Sequence, residues 1–127
     1  MPTHPTRLTL FALAVGALFA GPAWAGDAGH GKTIFSQQCG ICHTANKGGP
    51  AVLGPNLYGV VGRKAGTVAG YSYSSAMKAA GFTWTDDKLT AYLPAPRSLV
   101  PGTKMSYGGL HNPAQLVDLV AFLDSLK

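Results

Sequence analysis

The sequence predicts an all-α, loop-rich fold in one small domain, and three observations carry this expectation. Apolar residues recur at helical spacing in several short segments, and the best of these open on residues that cap helices. Between them the chain is rich in turn formers, with 17 Gly and 9 Pro in 127 residues. No window alternates polar and apolar residues strictly enough to make a strand.

The first 25 residues have the layout of a secretory leader. Arg7 and the terminal amine form the positive end, Leu8 to Ala20 is a nearly unbroken apolar run, and Ala23-Trp24-Ala25 is an A-x-A cleavage site. The run is shorter than the ~20 residues a bilayer span needs, so no permanent membrane anchor is expected. Residues 1–25 are therefore read as a cleavable signal peptide and residues 26–127 as a single domain.

Asp27 to Gln38 carries small or apolar side chains at Gly31, Ile34 and Phe35, as an amphipathic helix does. Lys47 to Gly70, with Gly48-Gly49-Pro50 and Gly54-Pro55-Asn56, reads as ordered loop. Ser72 to Ala80 predicts a short helix ended by Gly81. Thr85-Asp86-Asp87 joins a capping hydroxyl to two acids for a first helical turn, leading into Leu89, Tyr92 and Leu93; Pro94 and Pro96 are expected to stop it. In the last helix Asn112 is the cap, Pro113 the first helical residue, and Gln115 makes a box-like start. Leu116, Leu119, Val120 and Leu123 form its apolar face, widened by Phe122 and Leu126.

Charge narrows the partners. Removing Arg7 with the leader leaves nine of the ten Lys/Arg against five Asp/Glu, a formal charge of +4. The excess is small and unclustered, which argues against nucleic acid. A domain of this size buries limited apolar area, and small exported domains commonly add a disulfide or a metal as a staple.

That staple is read from Cys39-Gly40-Ile41-Cys42-His43. Two thiols three residues apart lie about one helical turn from each other and can form thioethers to two vinyl groups on one edge of a porphyrin. The histidine that follows then aims an imidazole nitrogen at the iron. This is the spacing of a covalent haem c site, one per chain. Zinc would need four ligands, and no second Cys/His pair stands at ligand spacing. A redox dithiol normally follows a strand in a βαβ pattern, which is absent. A disulfide would leave His43 unexplained, and Cys39 and Cys42 are the only cysteines.

With its further motifs the chain resembles the class I cytochrome c family, the soluble mitochondrial protein and its short soluble bacterial relatives. The likeness runs through Gly31 and Phe35, Cys39 to His43, Gly54-Pro55-Asn56-Leu57, Gly62-Arg63, and Gly70-Tyr71-Ser72-Tyr73. It continues through Trp84, Tyr92-Leu93, Pro101 to Met105, and Asp118 to Leu123, in order and at near-matching spacing. It implies a cytochrome c fold with crossing terminal helices, where Gly31, Phe35, Leu119 and Phe122 meet. It also implies Met105 as the second axial ligand beside His43, a neutral thioether that favours reduced iron. Met105 lies in a loop fixed by Pro101 and Gly102, whereas Met77 falls in a predicted helix and Met1 leaves with the leader. His4 leaves too, and His30 and His111 are expected to be solvated.

By the same resemblance, the Pro55 carbonyl accepts the other N–H of His43. Arg63, Tyr73 and Trp84 take positions that hold the haem propionates, and Tyr92 and Thr103 take positions around Met105. There are departures. Met77 stands where many relatives have an asparagine linked to a buried water, Pro50 to Leu53 replace a lysine-rich loop, and Gln38 replaces a lysine. Arg97 and Lys104 remain of the basic ring used for docking, which is therefore thinner.

These features imply a monomeric, soluble, periplasmic carrier of single electrons and not an enzyme. A haem enzyme or gas sensor needs an open iron position, which Met105 would close. The alternative is a subunit through which electrons enter a larger oxidoreductase complex. Expected partners are redox proteins: a cytochrome bc complex, a terminal oxidase, a photosynthetic reaction centre or a dehydrogenase.

Overall fold

The computed structural model describes residues 25–127 together with Met1, Pro2 and Gly16, so the expected leader lies almost wholly outside the described residues. Among the described residues five helices follow one another: α1 (Ala28–Gln38), α2 (Ser75–Ala79), α3 (Asp86–Tyr92), α4 (Pro96–Leu99) and α5 (Pro113–Asp124). Among the described residues there is no strand, only an isolated antiparallel bridge between Lys64 and Thr83.

Side chains start the helices where local chemistry allows. Asp27, Ser74, Thr85 and Asn112 each accept a first-turn backbone N–H, an interaction worth about 1 kcal/mol per cap. The Ser74 cap, closed on the Met77 amide at 3.1 Å, makes α2 start at Ser75 and not at Ser72. Of the two prolines expected to stop α3, Pro94 directly follows its C-cap and Pro96 has a further role. α3 does end at Tyr92, but Pro96 then opens α4, because a residue lacking an N–H loses nothing at a first helical position.

α1 and α5 cross and form the frame. Gly31 sits where their backbones meet: a Cβ there would fall against the Asp118 carbonyl and stand 2.8 Å from the Phe122 Cβ. One turn on, the Phe35 and Phe122 rings pack with centroids 5.5 Å apart. At the start of α1, the Asp118 carboxylate accepts from the Asp27 amide at 2.7 Å and meets His30 Nδ1 at 2.6 Å. His30 is thus exposed but not merely solvated; the helix crossing brings it a partner 88 residues away.

Leu119 of α5 is wholly buried, with Ile34 and Leu123 beside it in the core. The segment between α1 and α2 runs round this frame and is pinned at the Lys64–Thr83 bridge. There the Gly62 amide donates to the Trp84 carbonyl at 2.7 Å, and the Trp84 amide donates to the Arg63 carbonyl at 2.9 Å. Arg63 and Trp84 are thereby fixed on neighbouring backbone. The core does not close on itself: buried Phe35, Met77, Trp84, Leu89, Tyr92, Leu93, Leu119 and Leu123 all line one internal cavity.

Candidate cofactor site

The cavity holds about 450 Å³, within the ~300–1,000 Å³ usual for small-molecule sites. The structure brings all ten candidate residues to its walls: Cys39, Cys42, His43, Pro55, Arg63, Tyr73, Trp84, Tyr92, Thr103 and Met105. His30 and His111 are not among its lining residues.

One wall grows from the end of α1. The amides of Cys39 and Gly40 both donate to the Phe35 carbonyl at 2.8 Å, and the Cys42 and His43 amides return to the Cys39 carbonyl at 3.0 and 2.9 Å. The pentapeptide therefore keeps a tight turn that presents both cysteines, as free thiols, to the same space. Burial, and then the neighbouring Cys42, push the Cys39 thiol up to about 11, so it is protonated at neutral pH.

His43 Nδ1 lies 2.8 Å from the Pro55 carbonyl oxygen. A carbonyl only accepts, so Nδ1 carries the proton and the Nε2 lone pair is free. Gly54 packs on the ring so closely that a Cβ would stand 2.7 Å from Nδ1 and 2.9 Å from Nε2, and any larger residue would turn the imidazole. Burial holds the His43 pKa below its ordinary value; the bond to Pro55 opposes this and the charge of Arg63 adds to it. Neutral imidazole is the form that binds a metal. Asn56 braces the same loop, donating to Thr44 Oγ1 at 2.8 Å and to the Asn46 carbonyl at 2.9 Å while accepting from the Tyr58 amide.

Met105 lies on a different segment. Its amide donates to Thr103 Oγ1 at 3.3 Å, and that hydroxyl also shares a 3.0 Å hydrogen bond with Tyr92 Oη. Burial pushes the Tyr92 phenol up, against the opposing effect of the Thr103 bond, so the hydroxyl stays protonated. The third wall carries the polar groups. Arg63 Nη1 donates to the Tyr58 carbonyl at 3.3 Å, and Tyr73 Oη accepts from the Val68 amide at 3.1 Å, leaving its own O–H free to donate. Trp84 is held edge-on between Phe82 and Tyr92, with centroids 4.8 and 4.9 Å away. Arg63 and Lys104 line the cavity, and among the described residues no carboxylate does.

These residues fit haem. Two thiols, a neutral imidazole with a free nitrogen and a thioether face one largely apolar space, and among the described residues its charged lining groups are cations that suit propionates. Met77 is buried on the lining, so the position where relatives keep a polar asparagine is apolar here. Sequence reasoning missed Tyr107, which lines the cavity and donates to Gln38 Oε1 at 2.5 Å. Its signal was available: two residues after Met105 in an extended loop, a side chain returns to the same face.

Comparison with known proteins places these observations. The sequence profile of the family described as cytochrome c matches residues 28–127. The chain is 48% identical over 99 residues to a cytochrome c of Arabidopsis thaliana, covering 78% of this chain and 88% of that protein. It is 46% identical over 99 residues to a cytochrome c of Cochliobolus lunatus, covering 78% and 92%. It is 47% identical over 107 residues to a cytochrome c2 of Rhodopila globiformis, covering 84% of this chain and 100% of that protein. Proteins of this kind are electron carriers, not enzymes, and hold one covalently bound haem c.

Proposed function

Given that this chain belongs to the cytochrome c family, we propose that it is an exported, periplasmic carrier of single electrons whose haem iron is held between His43 and Met105. The observation that carries this reading is the shared cavity, on whose walls Cys39, Cys42, His43 and Met105 meet. Haem supplies the one-electron couple; the chain binds it, orients its ligands and keeps water away. Cys39 and Cys42 anchor it covalently. His43 offers Nε2, with the tautomer set by Pro55. Met105 offers a soft, neutral sulfur that favours the reduced state, and Tyr92 with Thr103 holds the segment that carries it. Arg63, Tyr73 and Trp84 would donate to the haem propionates, whose charge would be costly to bury unpaired. With His43 and Met105 both given to the iron, no site would be left there for a substrate.

The leader pattern supports export, with cleavage after Ala25 and one mature domain over residues 26–127. Among the described residues no helix is long and apolar enough to cross a membrane. The carrier would act as a monomer between redox proteins such as a cytochrome bc complex, a terminal oxidase, a reaction centre or a dehydrogenase. The test is optical. Oxidised protein should show the weak far-red band of a sulfur–iron bond, lost in Met105→Ala and kept in Met77→Ala, with a lower potential in the former. The reverse pattern would move the ligand to Met77. N-terminal sequencing of the haem-stained band from the periplasmic fraction should begin at Gly26; an intact leader there would refute the export reading.

A further inference from the structure

Four polar ties encircle the mouth of the cavity, each joining different segments. The Gly54 amide donates to the Cys42 carbonyl at 2.8 Å, Tyr71 Oη to the Leu53 carbonyl at 3.0 Å, and Lys104 Nζ to the Ser72 carbonyl at 2.7 Å. The fourth closes the ring: Tyr107 Oη donates to Gln38 Oε1 at 2.5 Å, joining the Met105 segment to the residue before Cys39. Gln38, Leu53, Tyr71, Lys104 and Tyr107 all line the cavity. The roles assigned so far leave Gln38 and Tyr107 unused.

We propose that Tyr107 and Gln38 form a clasp that governs how often Met105 leaves the iron, which makes both of them positioning residues for electron transfer. The proposal rests on the reading of Met105 as ligand. The Met105 segment is anchored to α3 through Tyr92 and Thr103, and to the chain before α2 through Lys104 and Ser72. Towards α1, Tyr107–Gln38 is its one side-chain hydrogen bond among the described residues. Lys104 and Gln38 are both exposed, while the Tyr107 ring is half-buried against the lining. While the clasp is closed, the segment cannot swing outward on the α1 side. It must open before an outside ligand replaces the sulfur. Losing one hydrogen bond of ordinary net strength raises the open population about fivefold. A carrier gains from the closed state because its iron then keeps one coordination geometry through both redox states.

The experiment uses oxidised, haem-loaded protein and follows imidazole binding to the iron by stopped-flow absorbance. Tyr107→Phe keeps the ring and removes the donor; Gln38→Leu removes the acceptor. Each should speed imidazole binding about fivefold while the far-red band remains, and the double variant should be no faster than either. Gln38→Glu, which keeps an acceptor at the same reach, should stay near wild type. Unchanged rates, or effects that multiply in the double variant, would overturn the clasp. Absence of the band from wild type would instead remove the ligand reading alone. Amide exchange over residues 100–107 then still tests the clasp: faster exchange in Tyr107→Phe supports it, and unchanged exchange overturns it.

Discussion

Replacing Gly31 by alanine adds one methyl group at the crossing of α1 and α5, where two effects of opposite sign compete. In a helix interior alanine is intrinsically better than glycine by about 1 kcal/mol. Against this, the new Cβ would lie 2.6 Å from the Asp118 carbonyl carbon and 2.8 Å from the Phe122 Cβ. Carbon atoms ordinarily pack at ~3.5–4.0 Å, so the helices must part by about 1 Å. The Asp118 carbonyl is backbone and cannot rotate aside. Overpacking of this kind costs roughly 1–3 kcal/mol. Parting the helices also weakens the Phe35–Phe122 contact, whose geometry is worth ~0.5–1.5 kcal/mol. The clash wins, and Gly31→Ala should destabilise the protein by about 2 kcal/mol net. For a domain of this size that lowers Tm by roughly 8–16 °C. The assay is a far-UV circular dichroism melt of the haem-loaded protein. Gly29→Ala is the control, since its Cβ would meet only the Asp27 side chain, at 3.2 Å, and its Tm should stay close to wild type. A Gly31→Ala protein melting at or above wild type would refute the close-approach argument.

Other outcomes follow from the site and the frame. Replacing both Cys39 and Cys42 by alanine should leave no haem on a denaturing gel; wild-type haem that extracts freely into acidic butanone would contradict covalent attachment. The Asp118 carboxyl is held below its ordinary pKa, first by the His30 hydrogen bond and then by the Asp27 amide. Its contribution to stability is therefore present above the unfolded value of about 4 and lost as pH falls through the lowered folded value. Asp118→Asn should accordingly shift the denaturant midpoint at neutral pH and not in strong acid; a pH-independent shift would exclude this linkage. Without haem the mature chain should show little helix by circular dichroism, because much of its core faces the cavity, and a cooperative native-like melt would count against that. Leu53 is 72% exposed at the cavity mouth and Val52 55% exposed beside it. Leu53→Glu should slow electron transfer to the native partner at least as much as Lys104→Ala, with a shallow salt dependence. A steep salt dependence with a silent Leu53 variant would exclude apolar docking there.

The sequence by itself determined whatever depends on short spacing. The caps at Thr85 and Asn112, the apolar stripe of α5, and two thiols one turn apart ahead of His43 are legible because a helix brings residues three or four apart together. Arg63, Tyr73, Trp84, Tyr92, Thr103 and Met105 were reached differently, through likeness to a family, since no local pattern links them; the fold then sets all six on one cavity. Only the tertiary structure decided the partners. His30 and Asp118 are 88 residues apart and Gln38 and Tyr107 are 69 apart, so no periodicity announces either pair. The tautomer of His43 and the need for glycine at position 54 likewise arise only where two loops touch. Pro96 shows the limit in miniature: proline forbids the interior of a helix equally well by ending one or by starting the next, and which it does depends on where the chain must turn to pack.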